Sequence, residues 1–391
     1  MTKWQTKRLG DFVMFQRGFD LLAKDRTDGN IPVISSSGIT GFHNQFKAKG
    51  EGVIIGRKGT LGTVHYSEQD YWPHDTTLWI TDFKGNLPRF IYYFLPLLQL
   101  KKYDVGSSNP TLNRNYIHEI IATLPPLEEQ QKIAAVLSAL DAKIELNNRI
   151  NAELENLAKT IYDYWFVQFD FPDRNGKPYK SSGGEMIYNK ECDRAIPAGW
   201  EVKRLGEILT IVRGASPRPI DDFLSEKGLP WIKISDATSS NNRFITETKQ
   251  FIIEKGIPNT RHIQPDTLIL SNSATLGLPR IVKISAGVHD GWLIISNYTN
   301  GLTQEFMYHY FSYEYLRIVC LGNGSIFKNL KTDYVKGLKI VLPPKYLLDK
   351  ASAKFKAISE LIYARTKENQ QLTQLRDWLL PMLMNGQISI K

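Results

Sequence analysis

The sequence predicts an internally duplicated α+β protein: two mixed α/β domains, each followed by one long helix. Three observations carry that expectation. The stretch "WQTKRLGDF" (Trp4–Phe12) returns as "WEVKRLGEI" (Trp200–Ile208), 196 residues later. Short β-branched and aromatic runs such as "GVIIG", "TLWI", "TLILS" and "WLIIS" alternate with Gly, Asn, Ser and Asp turns, which marks strands. A glycine-free stretch after Pro126 then carries apolar residues every three and four positions, which marks a helix.

The repeat continues in order along the chain. Arg17-Gly18 is matched by Arg213-Gly214, "GTLGTV" (Gly59–Val64) by "ATLGLP" (Ala274–Pro279), and "HDTTLWI" (His74–Ile80) by "HDGWLII" (His289–Ile295). Gly106-Ser107 is matched by Gly324-Ser325, and "LPP" at Leu124–Pro126 by "LPP" at Leu342–Pro344. The offset drifts upward from 196 to 218, as an old duplication with loop insertions requires. Within the domains, "RFIYYFLPLLQL" and "EFMYHYFSYEYLRIV" each read as one helix.

Pro125-Pro126 and Glu128-Glu129 suit a helix start, the acids facing the positive end of the dipole. Leu137, Leu140, Ile144, Asn147, Asn151, Leu154, Ala158, Ile161 and Trp165 form a heptad seam. The seam recurs 218 residues later, from Phe355 to Leu383, and Asn151 and Asn369 occupy equivalent places in it. Two long matched seams predict that the helices pair with each other; packing of each helix on its own domain is the alternative. The expected boundaries are domain 1 at 1–123, a long helix at 124–169, a linker at 170–199, domain 2 at 200–341 and a second long helix at 342–391.

Lys and Arg outnumber Asp and Glu 49 to 40, giving a net charge of +9, which suits nucleic acid or an acidic membrane surface. Cys192 and Cys320 have neither a disulfide-framework nor a zinc spacing, so no metal site is expected. The first residues are polar, and the apolar run "FIYYFLPLL" is short and broken by Pro96, so a soluble cytoplasmic protein is expected. No GxxxxGK[ST] loop, helix-opening GxGxxG, GxSxG elbow or HExxH motif occurs, and no catalytic residue is assigned. His74-Asp75 and His289-Asp290 are the His–acid pairs at repeated positions. They read as turns closed by the Asp, with the His packed or touching DNA; a general base is the alternative.

The chain resembles the specificity subunits of type I restriction–modification enzymes. The resemblance rests on "LPPLEEQQKIAAVLSALDAKIE" (Leu124–Glu145), "WFVQFDFPDRNGKPYKSSGGEM" (Trp165–Met186), "IPAGWEVKRLGEI" (Ile196–Ile208) and "LLPMLMNGQI" (Leu379–Ile388), and it spans essentially the whole chain. The second motif has a linker-like composition, with no generic packing reason to recur. The resemblance implies two target-recognition domains at the ends of an antiparallel coiled coil, related by a pseudo-twofold axis. Each domain would read one half of an asymmetric, bipartite site in double-stranded DNA. The helices would set the spacer and dock modification subunits. S-adenosylmethionine would belong to the modification subunit, and ATP and Mg to a separate restriction subunit. This chain would be non-catalytic. One departure stands out: the second copy reads "LPPKYLLD" and loses the acidic helix start, although Asp349 is available as a substitute.

Reading DNA requires cations for phosphates and forked or amide side chains for base edges. In domain 1, "GRKGTLG" places Arg57, Lys58 and Thr60 in a glycine-flanked loop; an ordinary solvated hairpin turn is the alternative. Its counterpart "SNSATLG" offers Asn272, Ser273 and Thr275 instead, so the two half-sites should differ. "GSSNPTLNR" offers Ser107, Ser108, Asn109, Asn113 and Arg114, and "GNGSIFKNLK" offers Ser325, Lys328 and Asn329; a capping loop is the alternative for both. Arg17 and Arg213 at the matched Arg-Gly pairs complete the set, with Ser36 and Lys233 after matched prolines. Leu127, Ile133 and Val136 are apolar beyond the seam and are expected to dock the modification subunit. A duplicated DNA-binding regulator without a methyltransferase partner, or a coiled-coil adaptor that binds only protein, are the competing readings.

Overall fold

The computed structural model describes residues 4–104, 110–238, 242–323 and 329–390. The chain forms two compact units, Met1–Asn147 with Lys367–Lys391, and Asn148–Thr366. Each contains one globular domain and one part of each long helix. Among the described residues, no helix is long and apolar enough to cross a membrane.

In the first unit, strand Gln5–Arg8 pairs antiparallel with Ile121–Leu124, Gln5 opposite Leu124, so the domain's first and last strands close on each other. Strands Met14–Arg17, Thr77–Asp82, Gly52–Gly56 and Val64–Ser67 form one antiparallel sheet in that order. A smaller sheet holds Gly38–His43, Ile31–Ser35 and Trp72–Pro73. The run "GVIIG" is apolar throughout because both its faces are covered. Val53 and Ile55 join the main core with Phe15, Leu78, Phe90 and Ile91, while Ile54 joins a second cluster with Ile34, Ala48 and Tyr71. The predicted single helix over "RFIYYFLPLLQL" is instead a short α-helix, Pro88–Phe94, followed by two 3-10 turns. Pro96 has no N–H to continue the ladder, and Gln99 takes a left-handed φ of +49°.

The second unit repeats the closure: Glu201–Arg204 pairs antiparallel with Lys339–Leu342, Glu201 opposite Leu342. One five-stranded sheet runs Thr210–Arg213, Trp292–Ser296, Thr267–Ser271, Pro279–Val282, Phe244–Ile245; a second runs Leu224–Ser225, Gln250–Ile252, Leu229–Ile232, Ala286–Val288, Arg261–Ile263. Gln304–Asn323 is one helix, as predicted.

The long helices run Leu127–Tyr162, continued by a π-turn over Asp163–Val167, and Lys345–Met384. In the first unit, Ile133, Ala134 and Leu137 near the start of one helix share a core with Leu383 and Met384 at the end of the other. There Arg376 Nη1 donates to Asp141 Oδ1 at 2.8 Å, and Asn147 Nδ2 donates to Asn369 Oδ1 at 2.9 Å and Glu368 Oε2 at 2.8 Å. The partner numbers fall as the first helix ascends, so these stretches run antiparallel. The Asn that meets Asn369 is thus Asn147, one turn before Asn151. In the second unit, Ala158, Tyr162 and Phe166 share a core with Phe355, Ile358 and Ile362.

One sequence expectation needs correction here, and the linker 170–199 carries local structure of its own. Phe166, Phe169 and Phe171 are buried around Trp200, with ring centroids 5.2–6.2 Å away, and Phe171 stacks on Tyr179 at 4.6 Å. Asp170 caps Ser181, and Met186–Asn189 pairs with Arg194–Pro197. The "WFVQFDFP" motif therefore has a packing reason after all. The glutamine of "LPPLEEQ" is likewise structural: buried Gln130 accepts from Leu87 N and donates to Asn86 Oδ1 and Pro125 O, pinning the helix start to its own domain. In the second copy this place belongs to Leu348, fully buried.

Candidate nucleic-acid interface

The repeated dipeptides meet in space. In the first unit, Gly18 lies against the His74-Asp75 turn so closely that a Cβ would fall 2.1 Å from His74 O. In the second, Gly214 lies against His289-Asp290, where a Cβ would fall 2.2 Å from His289 O. Only glycine fits either approach. The preceding arginine is thereby carried over the turn. Arg17 Nη2 donates to Asp75 Oδ2 at 3.0 Å, and Arg213 Nε donates to Asp290 O at 2.7 Å. Both side chains remain more than half exposed.

Each turn gathers a second arginine. Arg57 extends toward Asp75 O, with Nη1 at 3.5 Å. Burial and the charge of Arg17 lower its pKa, while Asp75 opposes the shift. Arg218 Nη2 donates to Asp290 Oδ2 at 3.2 Å and is 71% exposed. Asp290 also accepts from Ser216 Oγ at 2.8 Å. Burial acts to raise the Asp290 carboxyl, but the Ser216 hydrogen bond and the charges of His289, Arg218 and Arg213 outweigh it and hold it low. Burial lowers the neighbouring His289, with Lys233, Arg218 and Arg213 adding to the shift against Asp290. In each unit, then, one aspartate sits among two exposed or half-exposed guanidiniums. Sequence reasoning missed Asp75, Asp290 and Arg218 as members of these clusters.

The glycine-flanked loops share one backbone plan. Arg57 N donates to Thr76 O, and Arg57 O accepts from Leu112 N; Asn272 N donates to Gly291 O, and Asn272 O accepts from Leu330 N. Gly62 and Gly277 take φ of +72° and +79°, and Gly59 and Ala274 take +76° and +57°. All four are left-handed, a region natural to glycine and strained for alanine. The side chains differ. Arg57 is half-buried, its Nη1 reaching Asp75 O. Asn272 is 2% exposed, and its Nδ2 donates at 3.2 Å to Asp290 O, the counterpart of the carbonyl that Arg57 approaches. The expectation that Asn272 reads bases is therefore corrected: its side chain is buried inside the domain, with Nδ2 engaged by Asp290 O.

The remaining predicted residues divide. Lys58, Thr60, Asn113 and Arg114 are exposed near the Arg57 loop, with Lys58 bridged to Thr111 and Asn113 capping the helix Arg114–His118 through Asn115 N. Ser36 is buried; its carbonyl accepts from Thr63 Oγ1 at 2.6 Å and His65 Nε2 at 3.1 Å, so it supports the loop rather than projecting from it. Ser273 and Thr275 are half-buried beside Asn272, Lys233 is half-buried, and Asn329 is exposed. Ser107, Ser108, Asn109, Ser325 and Lys328 lie outside the described residues. Of the docking residues, Leu127 is 46% exposed and Val136 half-buried, but Ile133 is buried in the first unit's core and is not free to dock.

Exposed arginines held over the same turn in two copies of one framework define a class, duplicated proteins with a matched cationic face on each unit, as binding to nucleic acid requires. Residues 1–156 and 197–374 match the family described as type I restriction modification DNA specificity domain, and the chain belongs to that family. The type I restriction enzyme MjaIX specificity subunit of Methanocaldococcus jannaschii is 28% identical over 323 residues, covering 78% of this chain and 70% of the relative. The type I restriction enzyme HindI specificity subunit of Haemophilus influenzae is 26% identical over 361 residues, covering 77% and 78%. In fold, the chain is similar to the crystal structure of a type I restriction–modification S subunit from M. genitalium, with a TM-score of 0.64 and 18% identity over 98% of this chain and 96% of that one. The chain is accordingly a non-catalytic component that recognises DNA target sites within a restriction–modification complex.

Proposed function

We propose that each unit's globular domain reads one half of an asymmetric, bipartite DNA site. Domain 1 spans 1–123 and domain 2 spans 200–341. The observation that carries this reading is a shared loop framework bearing unlike side chains: a half-exposed Arg57 in one copy, a buried Asn272 in the other. Equal frameworks suit equal docking on a duplex, and cations offered from different loops, Arg57 in one copy and Arg218 in the other, suit unequal base edges. Arg57 and Arg17 serve the first half-site, Arg213 and Arg218 the second.

The long helices, as an antiparallel coiled coil with pseudo-twofold symmetry, set the spacer between the half-sites. The antiparallel contacts of Asp141 with Arg376 and of Asn147 with Asn369 support the pairing. The exposed Leu127, with Val136, offers a docking site for a modification subunit; the restriction subunit joins the same complex. Acting on genomic DNA places the assembly in the cytoplasm. Sequencing methylated DNA from cells carrying this chain with its modification partner tests the reading. A gapped motif with two unlike halves is expected, and a palindromic or ungapped motif would overturn it.

A further inference from the structure

We propose that Asp75 and Asp290 are positioning residues for sequence reading: each trades DNA affinity for a fixed arginine fork. The inference rests on the reading that these two faces meet DNA. A carboxylate on such a face is repelled by phosphates, and a surface built for affinity alone would omit it. Yet both halves of this diverged chain keep one, at the same turn and among the cations. Asp75 Oδ2 accepts one bond from Arg17 Nη2 at 3.0 Å. Asp290 takes Arg218 at 3.2 Å through its carboxylate and Arg213 at 2.7 Å through its backbone carbonyl.

The chemistry of the guanidinium explains what is gained. Its five N–H groups are planar, so a bond along one edge fixes the direction of the others. A free arginine on a flexible stem finds any nearby phosphate. One held along an edge presents its remaining donors in one plane, as bidentate pairing with guanine requires. The second arginine comes from different places, Arg57 from the glycine-flanked loop and Arg218 from the segment after Gly214. The first arginine and the aspartate recur in both copies while the second arginine does not, and in each copy that second arginine comes to the aspartate, which marks it as the organiser.

The test uses the assembled complex of this chain with its modification partner, carrying Asp75→Asn, Asp290→Asn, Arg17→Lys or Arg218→Lys. Binding to random-sequence duplex and the methylated motif are both read. Asparagine has nearly the shape of aspartate and keeps an acceptor oxygen, but not the charge. Each Asp→Asn variant should bind random duplex more tightly, with a salt slope steeper by about one. It should also lose discrimination by roughly tenfold or more at one half-site, a different one for each variant. Arg17→Lys should lose discrimination while random binding stays level, because lysine keeps the charge without the fork. A uniform fall in both readouts would assign the aspartates to folding alone and overturn the proposal. Unchanged discrimination in the Asp variants, with altered discrimination in the Arg variants, would overturn the proposal while leaving the DNA-facing reading intact. Level readouts in all four would show that these faces do not meet DNA.

Discussion

Position 57 and its repeat at position 272 show how one backbone plan can serve two ends. Both residues bridge the same three segments through their main chains, and both side chains turn to the carbonyl of an equivalent aspartate. Arginine is too long to finish there, so its charge stays at the surface. Asparagine is short enough to stay buried, and the second unit recruits its exposed cation from Arg218 instead. A repeat can preserve the scaffold of a recognition site and still move the recognising group to another loop.

The units also differ in how they grip the long helices, and breaking that grip gives the largest expected effect. In the second unit, Glu155 pairs through both carboxylate oxygens with Arg243, which is fully buried and lies 4.4 Å from the Tyr308 ring. Glu155→Ala strands that guanidinium and should destabilise the second unit by about 3–5 kcal/mol in denaturant melts. In the first unit, Arg376 and Asp141, which join one long helix to the other, are about one-third exposed, so Arg376→Ala should cost about 1 kcal/mol or less. Equal losses would show that burial does not separate the two anchors.

Asn272→Ala should destabilise the second unit by about 1–3 kcal/mol without a half-site preference of its own. Arg57→Ala should leave the melting transition in place and weaken one half-site by about 1–3 kcal/mol. A reversed pattern, with Arg57 structural and Asn272 selective, would break the comparison.

Acid should act on the second unit through His309. Burial, with the charge of Arg243, holds its pKa well below the usual 6.5. The folded state therefore keeps the ring neutral while the unfolded chain takes up a proton, so stability is lost as pH falls below about 6.5. Amide exchange between pH 7 and 5 should show faster opening of the second unit, and His309→Phe should flatten that dependence. A smaller effect is expected at Ala274. Its left-handed backbone corresponds to glycine in the other copy, so Ala274→Gly should stabilise by up to about 1 kcal/mol, read as a shift of the denaturation midpoint.

The duplication, the strand-rich domains and the long helices were legible because they rest on local pattern and order. The clusters were only half legible. The Arg-Gly and His-Asp pairs announced themselves by recurring, but Arg17 and Asp75 lie 58 positions apart, and no periodicity joins them. Arg218 has no basic match in the first copy, so the repeat could not point to it. Asn272 was misjudged because alignment with an exposed loop says nothing about how far a side chain reaches. The aromatic triplet of "WFVQFDFP" was misjudged because its polar surroundings masked a buried face that only Trp200 reveals.

The shared cores at the helix ends impose an order of assembly during synthesis. Leu383 and Met384, which complete the first unit's core, are made after the whole of the second unit. At typical rates of translation, roughly ten to forty seconds separate Asn147 from Lys367 on the ribosome. Throughout that interval Ile133, Ala134 and Leu137 must wait with one side of their core uncovered. The earliest domain to be made is thus the last to be finished, and a nascent chain stalled within the second unit carries an open apolar seam for chaperones to hold.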